Sequence, residues 1–154
     1  MRHWLMKSEP STFGLEHLAA APRRTTAWDG VRNYQARNMI RDEMHKGDQA
    51  FLYHSSTEEP GIVAIMQIVK QAYPDPTAFD RKHHHYDAGS DPAQPRWFMV
   101  DVQLKRRLAR TITLEELRAH ESRELKGMVL LRRGNRLSIT PVEAAHWKFI
   151  LAIE

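Results

Sequence analysis

At 154 residues, with 23 Lys and Arg against 19 Asp and Glu, the chain is long enough for one domain with its own core. It carries a formal charge of +4, which permits an anionic partner without demanding one. The absence of cysteine excludes disulfides, thiolate zinc sites and thiol nucleophiles.

The opening MRHWLMKSEP is too short and too broken by charge for a signal peptide or a membrane span. The expectation is a cytoplasmic, monomeric single domain over residues 1–154. His3 to Lys7 reads as a first strand, with Trp4 and Met6 on one face and Leu5 on the other. Ser8-Glu9-Pro10 ends it. Ser11 or Thr12 is placed to cap a short helix carrying Leu15, Leu18 and Ala19, which Pro22 stops. After the basic pair Arg23-Arg24 and the turn Asp29-Gly30, Asn33 is placed to cap a helix over about Tyr34 to Met44, with Gly47 just past its end. Ala50 to His54 and Gly61 to Lys70 predict a strand pair. The second is almost continuously apolar, which predicts a central strand covered on both faces.

Tyr73 to Pro95, rich in Pro, Asp, Gly and Ser, predicts a long loop. Arg96 to Arg107 predicts a long strand with Phe98, Val100, Val102 and Leu104 toward the core. Thr113 and Glu116 form a capping-box pattern for a helix through Leu114 and Leu117. Arg132 to Arg136 reads as a basic turn and Leu137 to Ile139 as a short strand. Thr140, Pro141 and Glu143 then predict the start of a last helix carrying Val142, Ala145, Trp147 and Phe149.

The chemistry concentrates in Trp28 to Asn38, WDGVRNYQARN. An indole beside amides and guanidinium groups on a turn is equipped to stack on a planar ring and to hydrogen-bond its edges or its phosphate. The competing reading packs Trp28 in the core beneath a helix start. Arg32, Arg37, Arg132, Arg133 and Arg136 are candidates for a nucleic-acid backbone track, and Gly134 lets main chain approach phosphate closely. His83-His84-His85 invite a metal, but consecutive residues rarely point into one coordination sphere and no HExxH pattern supports them, so neither a metal nor a cofactor is expected. His85, Tyr86 and Asp87 are read as decorating the long loop. No nucleophile elbow, phosphate loop or dinucleotide fingerprint occurs, which counts against an enzyme.

The blocks Lys7-Ser8-Glu9-Pro10, Trp28 to Asn38, Gly47-Asp48 with Phe51 to Ser55, Gly61-Ile62-Val63, Tyr73-Pro74-Asp75, Pro95-Arg96-Trp97 with Val100-Asp101-Val102, and Arg136 to Val142 resemble the EVE domain. That family includes bacterial stand-alone domains and the eukaryotic thymocyte nuclear protein, and is similar to PUA and YTH domains. The resemblance covers nearly the whole chain. It implies an α+β fold, a PUA-like bent β-barrel of about five to six strands with flanking helices, holding a pocket for a modified base of DNA or RNA. It places that pocket between the end of the first strand, the Trp28 turn and the barrel mouth, and nominates Lys7, Ser8, Trp28, Asn33, Tyr53, His54 and Ser55. Trp97 is one candidate for a second aromatic wall, with Tyr73, Phe79 and Tyr86 as alternatives. The histidine run departs from the family pattern.

Two functions follow as expectations. One is a non-catalytic binding module for a modified nucleobase, which needs a flipped-out or single-stranded nucleotide because a pocket cannot reach into a stacked duplex. The other is a hydrolase or transferase acting on a nucleotide or modified base, with His54 as acid or base.

Overall fold

The computed structural model describes residues 1–154 and shows a six-stranded mixed sheet flanked by four helices. The strands are β1 (His3–Ser8), β2 (Thr25–Ala27), β3 (Gln49–His54), β4 (Gly61–Pro74), β5 (Phe98–Thr113) and β6 (Ile139–Val142). The helices are α1 (Leu15–Ala20), α2 (Tyr34–Asn38), α3 (Leu114–Ala119) and α4 (Ala144–Ile153). In the order β2-β5-β4-β3-β1-β6, only β1 and β3 run parallel. The expected α+β sheet is present. The barrel is not closed, because β2 pairs only with β5 and β6 only with β1.

Alternation gives this single sheet two cores. Trp4 and Met6 of β1 join Ala50, Leu52, Met66, Ile68, Val100 and Val102 on one face, under α1 and α2. Leu5, Phe51 and Tyr53 join Leu117, Trp147 and Ile150 on the other, under α3 and α4. Successive side chains on a strand point to opposite faces, so residues one apart serve different clusters. The β4–β5 pair carries register shifts between Ile62 and Ala64 and between Ile65 and Met66. Such bulges bend a sheet and swap the face a position presents. Ile62 and Ala64 thus lie in different clusters although two residues apart.

The long strands run further than their patterns predict, and three local expectations fail. The cap of α1 is Gly14, with its amide donating to His17 Nδ1, and neither Ser11 nor Thr12 takes that place. Thr140 does not cap the last helix: it is buried in β6 opposite Leu5, and α4 begins at Ala144. Burial against β1 overrides a local capping pattern. Thr113 caps α3 as expected, but the Glu116 carboxylate turns to Arg110 and leaves the box open. The helix at Asn33 runs as predicted, with Asn33 Oδ1 accepting from the Ala36 amide, and continues over Met39–Glu43 as a π-helical turn.

Gly61 opens β4 where β5 crosses it most closely. A Cβ there would collide with the Ile112 carbonyl and lie 2.8 Å from Thr113 Cα, both main-chain atoms that cannot rotate away. We predict that Gly61→Ala lowers stability by about 1–3 kcal/mol, as overpacking does, measured by urea unfolding. A variant as stable as the parent would show that the β4–β5 register yields at this point.

Candidate nucleic-acid interface

The open side of the sheet holds a cavity of about 490 Å³, lined by Lys7 and Ser8 at the end of β1 and by Glu9 just after it, by Thr12 and Phe13 ahead of α1, by Thr26 to Asp29, and by His84 and His85. β1 and β2 are separated by three strands in the sheet order, so both reach one cavity only because the sheet curves around.

The Trp28 wall is set by main chain. The Trp28 amide donates to the Val100 carbonyl at 2.8 Å, extending the β2–β5 pairing by one residue. Asp29-Gly30 then turns, with Gly30 at φ 77° and its α-carbon so close to the His85 ring that any Cβ would overlap the imidazole. Glycine is required here both by the left-handed backbone and by the packing.

The second wall comes from the long loop, and a buried carboxylate holds it. Asp75 is fully buried, and its oxygens accept from the Gly30 amide (2.9 Å), Arg32 Nη1 (3.0 Å), the Thr77 amide (2.9 Å) and the Thr77 hydroxyl (2.6 Å). Arg32 also donates to the His85 carbonyl at 2.8 Å and to Thr77 Oγ1 at 3.1 Å. Burial pushes the Asp75 carboxyl up, but the hydrogen bonds from Thr77, Gly30 and Arg32 outweigh it and hold the group below the usual carboxylate range. The ion pair thus ties the turn carrying Trp28 to the loop carrying His85.

Three polar groups on residues that line the cavity lack protein partners. Ser8 Oγ and His85 Nδ1 are shielded and hydrogen-bond to nothing in the protein. The Lys7 ammonium forms no hydrogen bond or ion pair, lies 6.0 Å from the Tyr53 ring centre, and has its pKa lowered by burial. Burial pushes His85 down as well, helped by His84. Glu9 and Asp29 add exposed carboxylates at the rim.

Of the nominated base-pocket residues, Lys7, Ser8 and Trp28 line the cavity and the other five do not. Trp28 is 8 % exposed and part of the first core cluster, as the competing reading expects, and it also lines the cavity. Asn33 is spent on its helix cap. Tyr53 is buried in the second cluster. His54 Nε2 accepts from the Leu15 amide at 3.1 Å, and Ser55 bonds the Ser8 carbonyl through its amide at 2.9 Å, so both fasten elements together behind the cavity. Trp97 stacks on Tyr34 at 4.8 Å and donates to Asp87 at 2.6 Å, away from the cavity. Tyr73, Phe79 and Tyr86 do not line it either. The second aromatic contributor is Phe13.

Among the arginines, Arg32 is committed to Asp75, and Arg37 donates to the Arg96 carbonyl at 2.6 Å while lying over Tyr34. Neither is free for phosphate. Arg132, Arg133 and Arg136 are exposed and unpaired, on the turn leading to Ser138, whose carbonyl accepts from the Lys7 amide at 2.8 Å.

The histidine run does not diverge as expected. The rings of His83, His84 and His85 gather with centroids 3.9–5.0 Å apart, and their ligand atoms lie within 4.8 Å of one another. However, His83 Nδ1 accepts from the His85 amide at 3.0 Å, so its proton sits on Nε2, and coordination through His83 would sacrifice that arrangement. Thr12, Phe13, Thr26 and Ala27, missed at the sequence level as cavity residues, carry no periodic or motif signal, and His84 and His85 stand out there only as part of a histidine run. Only their convergence in space marks them.

The EVE domain family profile matches residues 2–153. The chain belongs to the EVE domain family. Thymocyte nuclear protein 1 of Homo sapiens is 48% identical over 167 aligned residues, covering 99% of this chain and 73% of that protein. The crystal structure of human THYN1 in complex with DNA containing 5-methylcytosine superimposes with a TM-score of 0.95 at 46% identity, covering 99% of this chain and 97% of that one. A Pseudomonas putida protein of known structure gives a TM-score of 0.92 at 42% identity over 98% of each chain. This EVE domain therefore shares its architecture with relatives in bacteria and vertebrates.

We predict that Asp75→Ala costs this EVE domain about 3–5 kcal/mol, because it leaves the largely buried Arg32 guanidinium without its one carboxylate partner and the Gly30 amide without its acceptor. Chemical denaturation measures this. A loss under about 1 kcal/mol would mean that the ion pair behaves as a surface contact and does not organise the cavity.

Proposed function

We propose that this chain binds DNA through a modified cytosine, taking an extruded or single-stranded base into the cavity between β1 and the Trp28 turn. The observation that carries this reading is the mixed polar and aromatic lining of that cavity: Lys7, Ser8, Glu9, Asp29 and His85 line it together with Trp28 and Phe13, and Ser8 Oγ and His85 Nδ1 have no hydrogen-bond partner in the protein. Unpaired buried polar groups cost free energy unless something meets them. The volume is within the usual range for small-molecule sites, about 300–1,000 Å³.

The lining matches a cytosine-type base. Its exocyclic amine donates, and Asp29 and Glu9 offer carboxylate acceptors; Asp and Glu are the usual partners of that amine. Its ring nitrogen and carbonyl accept, and the lining residues Ser8 and Thr12 carry hydroxyl donors. A 5-methyl group would find apolar surface at Ala27, Trp28 and Phe13. The complex of human THYN1 with 5-methylcytosine DNA supports the same ligand class here. Binding without catalysis fits the fate of His54, which is fastened to the Leu15 amide outside the cavity and has its pKa lowered by burial, so it has no route to act as acid or base on a bound base.

The test compares oligonucleotides carrying one 5-methylcytosine with unmodified ones. The wild type is expected to prefer the methylated strand. Asp29→Ala, an exposed position with little at stake for folding, is expected to lose about 1–3 kcal/mol of binding to it, the worth of one good base-edge contact. Equal affinity of the wild type for both strands would contradict the proposal, and turnover of a nucleoside or oligonucleotide would return the enzyme reading.

A further inference from the structure

Most arginines of this chain are already engaged. Arg32, Arg106, Arg107 and Arg110 face carboxylates, and Arg37 and Arg96 donate to main-chain carbonyls. Arg23 and Arg24 do neither. Both are exposed, and no protein group accepts from either guanidinium.

Their backbone is also unusual. Arg23 and Arg24 have φ of 55° and 51°, two consecutive side-chain-bearing residues in the left-handed region that favours glycine. The main chain is pinned there from several sides. Pro22 precedes the pair, the Arg24 amide donates to the Ala21 carbonyl at 2.8 Å, and the Arg23 carbonyl accepts from Thr25 Oγ1 at 2.9 Å and from Gln103 Nε2 of β5 at 3.1 Å. A strained backbone that is over-determined by its surroundings while its side chains stay unused is the pattern of a presented group.

The location supplies the use. β2 starts at the next residue, and its Thr26 and Ala27 line the cavity, so Arg24 stands about 7 Å along an extended chain from the cavity wall. On the opposite flank, Lys7 of the cavity is bonded to Ser138, two residues beyond the exposed Arg136. Unpaired arginines therefore stand next to both strands that line the cavity, just ahead of β2 and on the turn bonded to the end of β1.

We propose that Arg23 and Arg24 are a phosphate clamp, gripping the nucleic-acid backbone on the β2 side of the nucleotide whose base enters the cavity, across from the Arg132 to Arg136 turn. The placement of the strand rests on the base-reading function proposed above. The clamp itself holds phosphates and is indifferent to sequence.

Arg23→Gly and Arg24→Gly test it, because glycine relieves the left-handed backbone while removing the cation. The melting temperature is expected to stay level or rise. Affinity for a single-stranded oligonucleotide is expected to fall roughly tenfold per arginine, with the slope of log K against log salt shallower by about 0.7 for each. The loss is expected to be the same factor for 5-methylcytosine and unmodified strands. Lys46→Ala removes the same unit charge beyond the other end of β3 and is expected to leave the slope as it was. Glycine variants that bind like the wild type would overturn the clamp, as would an equal loss in Lys46→Ala, which would reduce the effect to diffuse charge. Failure of the base reading shows separately, as a wild type that does not distinguish the two strands, and the arginine comparison is decided on those same titrations.

Discussion

The buried carboxylate of Asp75 is the constraint on which the candidate site depends. It receives donors from Gly30, Arg32 and Thr77 at once, three groups from two segments some forty-five residues apart in sequence. An isolated buried charge is intolerable, so the segments must come together to supply its partners. Their meeting fixes where Trp28 and His85 stand. Arg32, which looks from the sequence like a phosphate ligand, is consumed in satisfying this one group, with the His85 carbonyl and Thr77 Oγ1 as further acceptors. The polar richness of the Trp28 to Asn38 stretch is thus largely internal scaffolding, and binding falls to the groups the scaffold leaves unpaired.

The open sheet is the second condition. A closed barrel would join its edge strands by hydrogen bonds and fill its interior with side chains. Here the bulges between β4 and β5 curve the sheet without joining its edge strands β2 and β6, and a cavity lined by the end of β1 and by β2 remains. Alternation lets the one sheet bury two clusters, so the wall bearing Trp28 is backed by a core that includes Trp4, Met6 and Val100. Rigidity of that backing favours binding, because a preorganised platform loses little entropy when a ring stacks on it.

Much of the fold was legible in the sequence because its signals are local and periodic. β1, β3, β4 and β5 follow from alternation and apolar runs, and Asn33 caps its helix as its chemistry predicts. The misses have a common cause. Thr140 carries a good capping pattern but is drawn into β6 by burial, and the three residues of β2, Thr-Thr-Ala, are too few and too polar to show a period. The site was legible in part. Lys7, Ser8 and Trp28 line the cavity, whereas Asn33, His54, Trp97, Arg32 and Arg37 have functional-looking side chains whose hydrogen bonds are already made. Residue type tells what a side chain can bond; only the fold tells whether a partner is already there. His85 shows the converse, a loop residue conspicuous in the sequence only as part of a histidine run, whose ring packs against Gly30 and lines the cavity.

The central claim is that a modified base enters the cavity between β1 and the Trp28 turn, and amide chemical-shift mapping with a 5-methylcytosine oligonucleotide tests it most directly. The account predicts that the largest shifts fall on Lys7 to Glu9, on Thr26 to Gly30 and on His84 and His85, with an unmodified strand moving them less. Shifts confined to the basic turns, or centred on the smaller hollow of about 350 Å³ at the opposite end of β1 beside Met1 to Trp4 and Glu43, would contradict it.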